Sequence, residues 1–598
     1  MYDIVGWFGA SLSKDSPNAL INTMLGPPAE TQIQEEFTFA SKQVGRIGAS
    51  DSVCLLLCGY PVWQNQTLAD EALRIGDAKL LARLWHTEGL ATFNRIGGSF
   101  ALALYDRARN EGVLAIDRMG VCPMAYAEVP QGLIFSTDLD VLLRHPSIAT
   151  EPDPQALFAY LYFHTIPAPL SIYRGVRKLL PGQCLIWRQG ALKLSFYWQP
   201  DFTDDVRAEA ELALELRTRL RQAVSACIKD PLLTGAFLSG GLDSSTVVGF
   251  LRELAPQSAA AFTIGFTAQG YDEMEYARAS ACHFGVPLHE YYLTPHDVIE
   301  AAPKIAAFYD EPFGNASAIP AYYCARLARE HGKTCLLAGD GGDELFAGNT
   351  RYAKQKLLAF YDRLPSWLRT LAIEPLVQRG GFLPGLSKLK SYVWQAKIPL
   401  PERLETYNFL HRTPLSEIFE SDFLATVYPD WPIDHLREIY CRPKASMLKR
   451  MLWLDWKITL ADNDLRKVNR TCALAGVEVR YPMLQEPVVQ LAATIPDHFL
   501  MRGLELRSFY RRALKDFLAP KTLNKSKHGF GLPFGVWLKS YPDLQELAYT
   551  SLDHPALSGI IRRDYIARLK QAHLSEHASY YGVMIYVLMM WAQWAEHH

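Results

Sequence analysis

The sequence lacks the cysteine patterns that hold zinc or build disulfide frameworks. Its ten cysteines are scattered, without CxxC pairs and without Cys/His clusters at zinc-ligand spacing. The closest pair, Cys54 and Cys58, lies in the apolar run VCLLLC, which is typical of a strand. We interpret both as buried thiols of the core rather than as a redox or metal site. A reducing, cytoplasmic location is therefore expected.

An excess of charge of one sign is also missing. The formal net charge is −2 at pH 7, and no Lys/Arg run stands beside an amphipathic stretch, so we expect neither nucleic-acid nor membrane partners. The N-terminus has no basic segment followed by an apolar core and a cleavage site, so no secretory signal is predicted. The apolar run Tyr580–Trp591 is shorter than the ~20 residues that span a bilayer. It predicts a buried helix.

Length and local pattern indicate two domains. The chain has 598 residues, 49% of them hydrophobic, and one core rarely serves more than about 250–300 residues. The first part carries short β-branched and aromatic runs between turn residues, for example 100–106, 112–117 and 132–138. Helical periodicity begins at 208–229, and from Gly235 strands alternate with helices, which predicts a parallel α/β sheet. We therefore divide the chain into domains 1–204 and 205–598.

The most informative motif follows the first strand of the second domain. The string SGGLDSS (Ser239–Ser245) stands between a buried strand and a helix. Its glycines let backbone N–H groups approach an anion, and its hydroxyls and the helix N-terminus add donors, which indicates a phosphate site. Asp243 would repel bare phosphate, so we predict that it holds Mg²⁺. The lack of GxxxxGK[ST] argues against a Walker-type NTPase. The alternative is an N-capping cluster after a tight turn.

A second motif, AGDGGDE (Ala338–Glu344), follows the strand-like segment CLL. Three carboxylates so close together repel one another, and a cation explains them best, so Asp343 is the second predicted magnesium ligand. The alternative is an exposed acidic turn. Both motifs follow strands whose C-terminal ends line the crevice of an open sheet. The loop Tyr309–Phe313 either reaches the same site or forms a simple X-Pro turn.

Together these strings resemble the asparagine synthetase family, whose synthetase domain carries an SGGLDSS loop and a later G-[ED]-G-x-D-E loop. The resemblance covers nearly the whole chain. Further matches are TIGF (263–266), VEVRYPML (477–484), KHGF (527–530), GGSFA (97–101), DRMG (117–120) and LPG (180–182). The resemblance implies an N-terminal-nucleophile-like β-sandwich with helices, a degenerate type 2 glutamine amidotransferase domain. An adenine-nucleotide α-hydrolase-like parallel α/β domain with helical additions would follow and cleave ATP to AMP and pyrophosphate.

The resemblance also implies which residues bind ATP and Mg²⁺. Asp243 and Asp343 would hold the metal, which helps to neutralise the leaving pyrophosphate. The nucleotide would be held by Ser239, Gly240, Gly241, Asp243, Ser244 and Ser245 at the pyrophosphate, and by Leu238, Ile264 and Gly339 at the adenosine.

The predicted catalytic residues are Arg507, Lys527 and Asp340. Arg507 stands where the family's K-x-x-L-R motif has its lysine. Arginine keeps the charge and does not release a proton, so we expect it to stabilise negative charge rather than act as a base. Lys527 is the second candidate for that role, although either basic side chain could instead cap a helix or pair with a surface acid. Asn469 and Gln485 replace expected aspartates, which suggests a changed substrate face.

The first domain departs from the glutamine-using members of the family. Those members have a cysteine after the initiator methionine, whereas this sequence begins Met1-Tyr2-Asp3 without a Cys, Ser or Thr nearby. The family's NGEIYN strip, which helps to hold glutamine, is replaced by 58–63 (CGYPVW). We therefore expect that glutamine hydrolysis is lost and that ammonia is not the amine in use.

Members with this profile are β-lactam-type synthetases and the macrolactam cyclases of lasso peptides, which both close an intramolecular amide. The length, the aromatic-rich region 360–440 and the weak strip are more similar to a lasso cyclase. That similarity implies a precursor peptide as substrate, with a leader-binding protein and a leader peptidase as further partners. Two alternatives stay open. One is a small-molecule synthetase, either ammonia-dependent for asparagine or β-lactam-like, and the other is a non-catalytic nucleotide binder.

Overall fold

The first domain of the computed structural model is a β-sandwich. The structure describes residues 4–9, 16–130, 132–268, 270–362, 364–375, 386–525 and 531–598. The strands of this domain are β1 (Ile4–Phe8), β2 (Glu30–Ile33), β3 (Phe37–Ser41), β4 (Ile47–Ala49), β5 (Val53–Trp63), β6 (Ile96–Asp106), β7 (Glu111–Ile116), β8 (Ala125–Val129), β9 (Gly132–Ser136), β10 (Val176–Lys178), β11 (Gln183–Arg188) and β12 (Ala191–Phe196). They form two six-stranded antiparallel sheets, ordered β10-β8-β9-β1-β3-β2 and β12-β11-β7-β6-β5-β4.

Helices cover both outer faces of this sandwich. They are α1 (Pro17–Leu25), α2 (Gln66–Ile75), α3 (Asp77–Glu88), α4 (Leu139–Leu143) and α5 (Pro154–Phe163). Strand β5 shows how the sequence produces four layers, namely two sheets with helices on each outer face. Leu55 and Leu57 pack under α3, whereas Cys54 and Cys58 point into the space between the sheets. A strand buried on both faces reads as a continuous apolar run, and the two cysteines are core residues as predicted.

The second domain contains a parallel five-stranded sheet. Its strands are β13 (Thr234–Phe237), β14 (Ala261–Phe266), β15 (Leu288–Leu293), β16 (Cys335–Leu337) and β17 (Glu478–Arg480). The order is β15-β14-β13-β16-β17, and every pair is parallel. The chain first adds strands on one side of β13 and then returns to place β16 on the other. That reversal opens a crevice at the C-terminal ends of the strands, where open α/β sheets bind ligands.

The helices of the second domain flank the sheet and extend beyond it. Up to the acidic motif and its continuation they are α6 (Glu209–Cys227), α7 (Leu242–Leu254), α8 (Met274–Phe284), α9 (Pro295–Phe308), α10 (Ala318–Glu330), α11 (Gly342–Leu345) and α12 (Thr350–Asp362). Later helices span Ser366–Leu368, Leu386–Ala396, Phe409–Arg412, Leu415–Ile418, Ser421–Leu424, Trp431–Cys441, Met447–Asp455, Arg466–Leu474, Glu486–Thr494, Asp497–Leu500, Ser508–Ala513, Pro520–Leu523, Phe534–Ser540, Pro542–Ser551, Arg563–Ser575 and Ala578–Ala595.

Two of these helices bear on the sequence predictions or on the site. The last helix, Ala578–Ala595, contains the apolar run of the sequence and is mostly buried, as predicted. Within the described ranges, no helix combines the length and apolar character needed to cross a membrane. A wide-turned π segment, Trp456–Leu465, runs directly into the helix Arg466–Leu474. Such segments are rare and often adjoin functional sites.

The predicted fold class is confirmed. A sandwich of the N-terminal-nucleophile type precedes a parallel α/β domain, and the segment that joins β12 to α6 contains residue 204, where the sequence placed the boundary. The two domains are joined by buried ion pairs: Lys178–Glu311 (2.6 Å), Arg470–Asp138 (2.8 Å) and Arg118–Glu486 (2.5 Å). Breaking a buried pair leaves an uncompensated charge, so these contacts fix how the domains dock.

Candidate active site

A cavity of about 620 Å³ opens at the C-terminal ends of β13, β14 and β16. Ten of the residues predicted from the sequence line it, namely Leu238, Ser239, Gly241, Asp243, Ser244, Ile264, Gly339, Asp340, Asp343 and Arg507. The SGGLDSS and AGDGGDE strings, about a hundred residues apart in the chain, therefore face one shared space, as neighbouring strand ends of a parallel sheet require.

The SGGLDSS loop turns sharply from β13 into α7. Ser244 Oγ accepts a hydrogen bond from the Ser239 N–H (3.2 Å) and lies 3.1 Å from Ser239 Oγ, while Ser239 Oγ accepts from the Gly241 N–H (3.3 Å). The 13-residue helix α7 begins at Leu242, directly after Gly241. The N-terminal N–H groups of α7 and the two hydrogen-bonded hydroxyls of Ser239 and Ser244 thus border the cavity. This arrangement is suited to phosphate oxygens.

Two predicted nucleotide contacts do not line the cavity. Gly240 adopts a left-handed conformation (φ 70°) and packs against the backbone of Tyr276. It therefore permits the sharp turn of the loop and does not border the cavity. Ser245 is buried inside α7 at 0% exposure. The two corrections have different causes: Gly240 lies in the tight turn before α7, whereas Ser245 lies in α7, where successive residues point in different directions and only some face the cavity.

Glycines make room for the two predicted metal ligands. A methyl group on Gly342 would overlap the carboxylate of Asp243, and one on Gly348 would overlap that of Asp343. At Gly339 the added carbon would lie 2.7 Å from the Ser244 N–H nitrogen. The glycines of the acidic motif therefore allow the first loop to approach closely, which is a steric requirement of this site.

A Gly342→Ala variant is expected to reduce AMP formation by about 10²-fold, because the methyl group displaces Asp243 from its position. Steady-state AMP formation and thermal unfolding would be measured together. Gly332→Ala is the control, since Gly332 is left-handed (φ 76°), so a methyl group there strains the backbone, but no atom of the described residues beyond its chain neighbours lies within 4 Å of that group. The control should lose stability without losing turnover. Near-wild-type turnover of Gly342→Ala would show that the close approach of the two loops is unimportant.

Arg507 connects the two carboxylates. Its guanidinium pairs with Asp243 and also reaches Asp343, with Nε 3.3 Å from Oδ1. Burial lowers the pKa of Arg507, but the charges of Asp243 and Asp343 outweigh burial and raise it, so the side chain stays charged. Arg507 is the N-cap residue of the helix Ser508–Ala513 without a side-chain capping bond. The structure thus shows Arg507 paired with two carboxylates of the cavity, and its side chain does not cap the helix.

Asp340 lines the cavity and has a pKa that suits proton transfer. Burial raises the pKa of Asp340 to about 6, while the positive charge of Lys467 opposes the shift. Lys467 also lines the cavity and pairs with Asp464 at 2.7 Å. A carboxylate with a pKa near 6 is mostly ionised at neutral pH and can accept a proton.

Basic residues that the sequence analysis missed also line the cavity. Lys525 Nζ donates to the Ser239 carbonyl (3.1 Å), lies 3.0 Å from Glu273 Oε2, and stacks on Tyr276. It is thus fixed beside the first loop. Arg511, on the helix that follows Arg507, lines the same space. Lys527, which the sequence favoured, lies outside the described residues, two positions beyond Lys525.

The residues fit an ATP–Mg²⁺ complex better than a metal held by protein alone. Among the described residues, no group of three or more His, Cys, Asp or Glu side chains could hold a metal ion. Mg²⁺ is usually bound by one or two carboxylates together with phosphate oxygens and water. Asp243 and Asp343 supply those two carboxylates, and the first loop supplies phosphate donors. The apolar part of the cavity, with Leu238, Ile264 and Val468, suits an adenine ring.

A second cavity, of about 400 Å³, lies between the domains. Asn469 lines this cavity, where its side chain bonds Val121 and Tyr481. Gln485 is buried near Cys227. Neither belongs to the lining of the ATP-sized cavity, so neither marks a changed substrate face there. Their positions on elements that pack against the first domain and α6 explain this.

The loop Tyr309–Phe313 also serves the domain interface. Asp310 pairs with Arg466 (2.7 Å) and accepts a hydrogen bond from the Leu139 N–H of the first domain (3.2 Å). Glu311 accepts one from the Ile172 N–H (2.9 Å). The structure therefore places this loop at the domain interface. It does not show the first sequence interpretation, in which the loop reaches the active site.

The fold and the cavity define the class as an ATP-dependent ligase with an amidotransferase-type domain. Comparison with known proteins agrees, because the family model "Asparagine synthase" matches residues 215–596 and the model "Glutamine amidotransferase domain" matches residues 66–198. The chain belongs to the asparagine synthase family.

The similar proteins include two named as asparagine synthetases and one named as an amidase. The glutamine-hydrolysing asparagine synthetase 1 of Bacillus subtilis (strain 168) is 26% identical over 505 residues, which cover 83% of this chain and 77% of that protein. A putative glutamine-hydrolysing asparagine synthetase 2 of Methanocaldococcus jannaschii is 31% identical over 407 residues, or 67% of this chain and 76% of that protein. The amidase chry2 of Gibberella zeae is 25% identical over 311 residues, covering 48% and 46%.

Solved structures match only loosely. An allosteric regulatory enzyme of purine biosynthesis aligns with a TM-score of 0.24 and 10% identity, covering 56% of this chain and 80% of that one. A Bacillus subtilis glutamine phosphoribosylpyrophosphate amidotransferase aligns with a TM-score of 0.23, also at 10% identity, covering 56% and 81%.

Proposed function

We propose that this protein forms an amide bond by adenylating a carboxylate with ATP and passing the acyl group to an amine. A carboxylate oxygen attacks the α-phosphorus, and the bond to pyrophosphate breaks. The amine nitrogen then attacks the acyl carbon, and AMP leaves while a base takes the amine proton. The observation that carries the proposal is the meeting of Asp243, Asp343 and Arg507 at the mouth of the SGGLDSS loop.

Each cavity residue has a role in this chemistry. Bound Mg²⁺, held by Asp243 and Asp343, would neutralise negative charge on the leaving pyrophosphate. Lys525 lies against the Ser239 carbonyl and orients positive charge toward the same end of the cavity. Arg507 stabilises the charge that develops at the α-phosphate, because arginine keeps its positive charge throughout the reaction.

Asp340 is the proposed acceptor of the amine proton, which makes the reaction depend on pH. The groups whose charges act on it are Lys467, Asp464 and Asp343. The acceptor must be ionised, so kcat should rise as pH increases through about 6 and then level off. Asp340→Asn should lower kcat by about 10²–10⁴-fold and remove that rise. A pH–rate profile checks this, and a rise that persists in Asp340→Asn would assign it to another group.

We propose that glutamine hydrolysis in the first domain does not supply the amine. Residues 58–63, which replace the glutamine-holding strip, form a regular ladder with β6, from Cys58 opposite Ala101 to Trp63 opposite Ile96. Tyr60 of this strip stacks against Lys229 and Arg480 of the second domain. The strip therefore serves strand pairing and domain docking. The amine then comes from solution or from the acyl substrate itself.

Two carboxylate substrates have support. A small amino acid such as aspartate is favoured by the relatives, which are named asparagine synthetases. Ring closure in a precursor peptide, as in a lasso cyclase, is favoured by exposed aromatic side chains on the helices that lead away from the cavity wall. Helix α12 starts at Thr350 on the cavity wall and leads to exposed Phe360, and Trp394 on the helix packed against it is 56% exposed. A leader-binding protein and a leader peptidase belong to this second candidate.

One experiment separates these candidates. Purified protein with ATP and Mg²⁺ would be tested for ATP–pyrophosphate exchange with aspartate, with a β-amino acid, and with leaderless peptides that carry a side-chain carboxylate. Mass spectrometry would follow AMP and the acyl product. Exchange with aspartate and conversion to asparagine by added ammonia establishes the small-acid function. AMP together with a peptide lighter by one water establishes ring closure. Nucleotide binding without exchange in any case would contradict the proposed adenylation.

A further inference from the structure

We propose that Arg507 occupies the metal position of the nucleotide-free protein, and that Mg²⁺-nucleotide binding displaces its guanidinium from Asp243 and Asp343. This inference rests on the proposed function for the identity of the metal–nucleotide ligand. It goes beyond that function because it assigns Arg507 two positions, one as a counter-ion at rest and one as a free cation during the reaction.

The first step of the argument is electrostatic. Asp243 and Asp343 come from different loops, and the missing side chains of Gly342 and Gly348 let their carboxylates approach the same point. Two carboxylates that share a site repel one another unless a cation lies between them. In this structure the Arg507 guanidinium pairs with both carboxylates and so supplies a cation between them.

The second step is that the pair is held in place from the backbone. Arg507 has a left-handed backbone (φ 57°), and its N–H donates to the carbonyl of Ala347, which is itself left-handed (φ 57°). Left-handed conformations are unfavourable for residues with a side chain and persist where the surroundings impose them, often at functional sites. The main chain at Arg507 is thus fixed opposite the acidic motif.

The third step is that the guanidinium is not fully satisfied. Arg507 is 4% exposed and stacks over Tyr510, yet its Nη1 has no hydrogen-bond acceptor among the residues that the structure describes. A buried donor without an acceptor costs free energy, so an arginine with a purely structural role would be expected to have an acceptor for each of its donors. The unused donor fits a group that takes up an anion once ligand is present.

The fourth step is exclusion. A guanidinium and a divalent cation compete for the same two carboxylates, because both need their oxygens at contact distance. Arginine cannot lose its proton to leave room, so the side chain has to move. Metal binding therefore frees Arg507 and turns it from the carboxylates toward the substrate phosphate. The nucleotide-free protein should accordingly bind free divalent metal poorly.

Binding of Mn²⁺ alone, without nucleotide, tests this directly by electron paramagnetic resonance or calorimetry. Arg507→Gln should bind one Mn²⁺ about tenfold or more tightly than wild type, because the positive charge that pairs with both carboxylates is removed. Arg507→Lys keeps a cation and should fall between the two, which covers the case in which Arg507→Gln does not fold. Arg511→Gln is the control, since Arg511 lines the same cavity and forms no recorded pair with either carboxylate. Its affinity should stay within about twofold of wild type.

Equal or weaker Mn²⁺ binding by a folded Arg507→Gln protein would overturn the exchange. So would an Arg507→Lys protein that matches wild type when Arg507→Gln does not fold. The proposed function is judged separately, because wild-type ATP–pyrophosphate exchange does not depend on this measurement. If ATP–pyrophosphate exchange is observed but the variants do not bind Mn²⁺ more tightly, the proposed function stands. Only the displacement of Arg507 would then be refuted.

Discussion

An Asp243→Asn variant is expected to fold and to lose AMP formation by about 10³-fold or more. Asparagine keeps the size of the side chain but removes the charge that holds a divalent cation against the phosphates. It also removes a partner of Arg507. Asp243 lies on the first turn of α7 and is partly exposed, with a side-chain exposure of 19%, so the effect on folding should be small compared with the effect on turnover.

The measurement is the initial rate of AMP and pyrophosphate release, with thermal unfolding as the check on folding. Glu300→Gln is a matched control, because Glu300 lies on the surface of α9 and pairs only with Lys304 among recorded ion pairs (2.6 Å). An exposed pair of this kind contributes little, so the control should keep its rate. A folded Asp243→Asn protein with wild-type turnover would contradict the role given to the first loop.

Arg507→Gln is expected to lower kcat by about 10²–10³-fold while changing the KM for ATP much less. The guanidinium stabilises charge that develops during adenylation, so its loss should raise the barrier more than it weakens ground-state binding. Arg507→Lys should recover part of the rate, because lysine keeps a positive charge at this position. A point charge lacks the planar fork of arginine, so the recovery should be incomplete.

Single-turnover kinetics separate this effect from product release. If Arg507→Gln raised KM and left kcat unchanged, the residue would act only in binding. Combined with Mn²⁺ titration, the same variant makes an unusual pair of expectations, namely tighter metal binding and slower chemistry. A general loss of structure would weaken metal binding and also slow the chemistry. The two measurements together therefore distinguish a functional effect from misfolding.

The regular parts of the fold could be predicted from the sequence because local patterns dominate there. The alternation of strands and helices from Gly235 predicted a parallel sheet, and all five strands pair that way. The VCLLLC run predicted a buried strand, since both of its faces are covered. The two loops meet at one cavity because strand ends in such a sheet converge.

The rest depended on contacts between distant segments. Lys467 and Lys525 line the cavity, but nothing in their local sequence distinguishes them from surface lysines. Gly240 and Ser245 belong to the SGGLDSS motif but do not line the cavity, because the exact turn into α7 packs Gly240 against Tyr276 and buries Ser245. Asn469 was read from its place in a motif, whereas its partners, Val121 and Tyr481, are set by how the domains dock.

The most direct test of the adenylation claim is isotope transfer. The carboxylate substrate identified by exchange would be labelled with ¹⁸O at both oxygens and turned over with ATP, and the nucleotide product would be analysed by mass spectrometry. Attack of the carboxylate on the α-phosphorus predicts AMP that carries one ¹⁸O atom, together with unlabelled pyrophosphate. Formation of ADP, or of AMP without label, would contradict activation of the carboxylate as an acyl-adenylate.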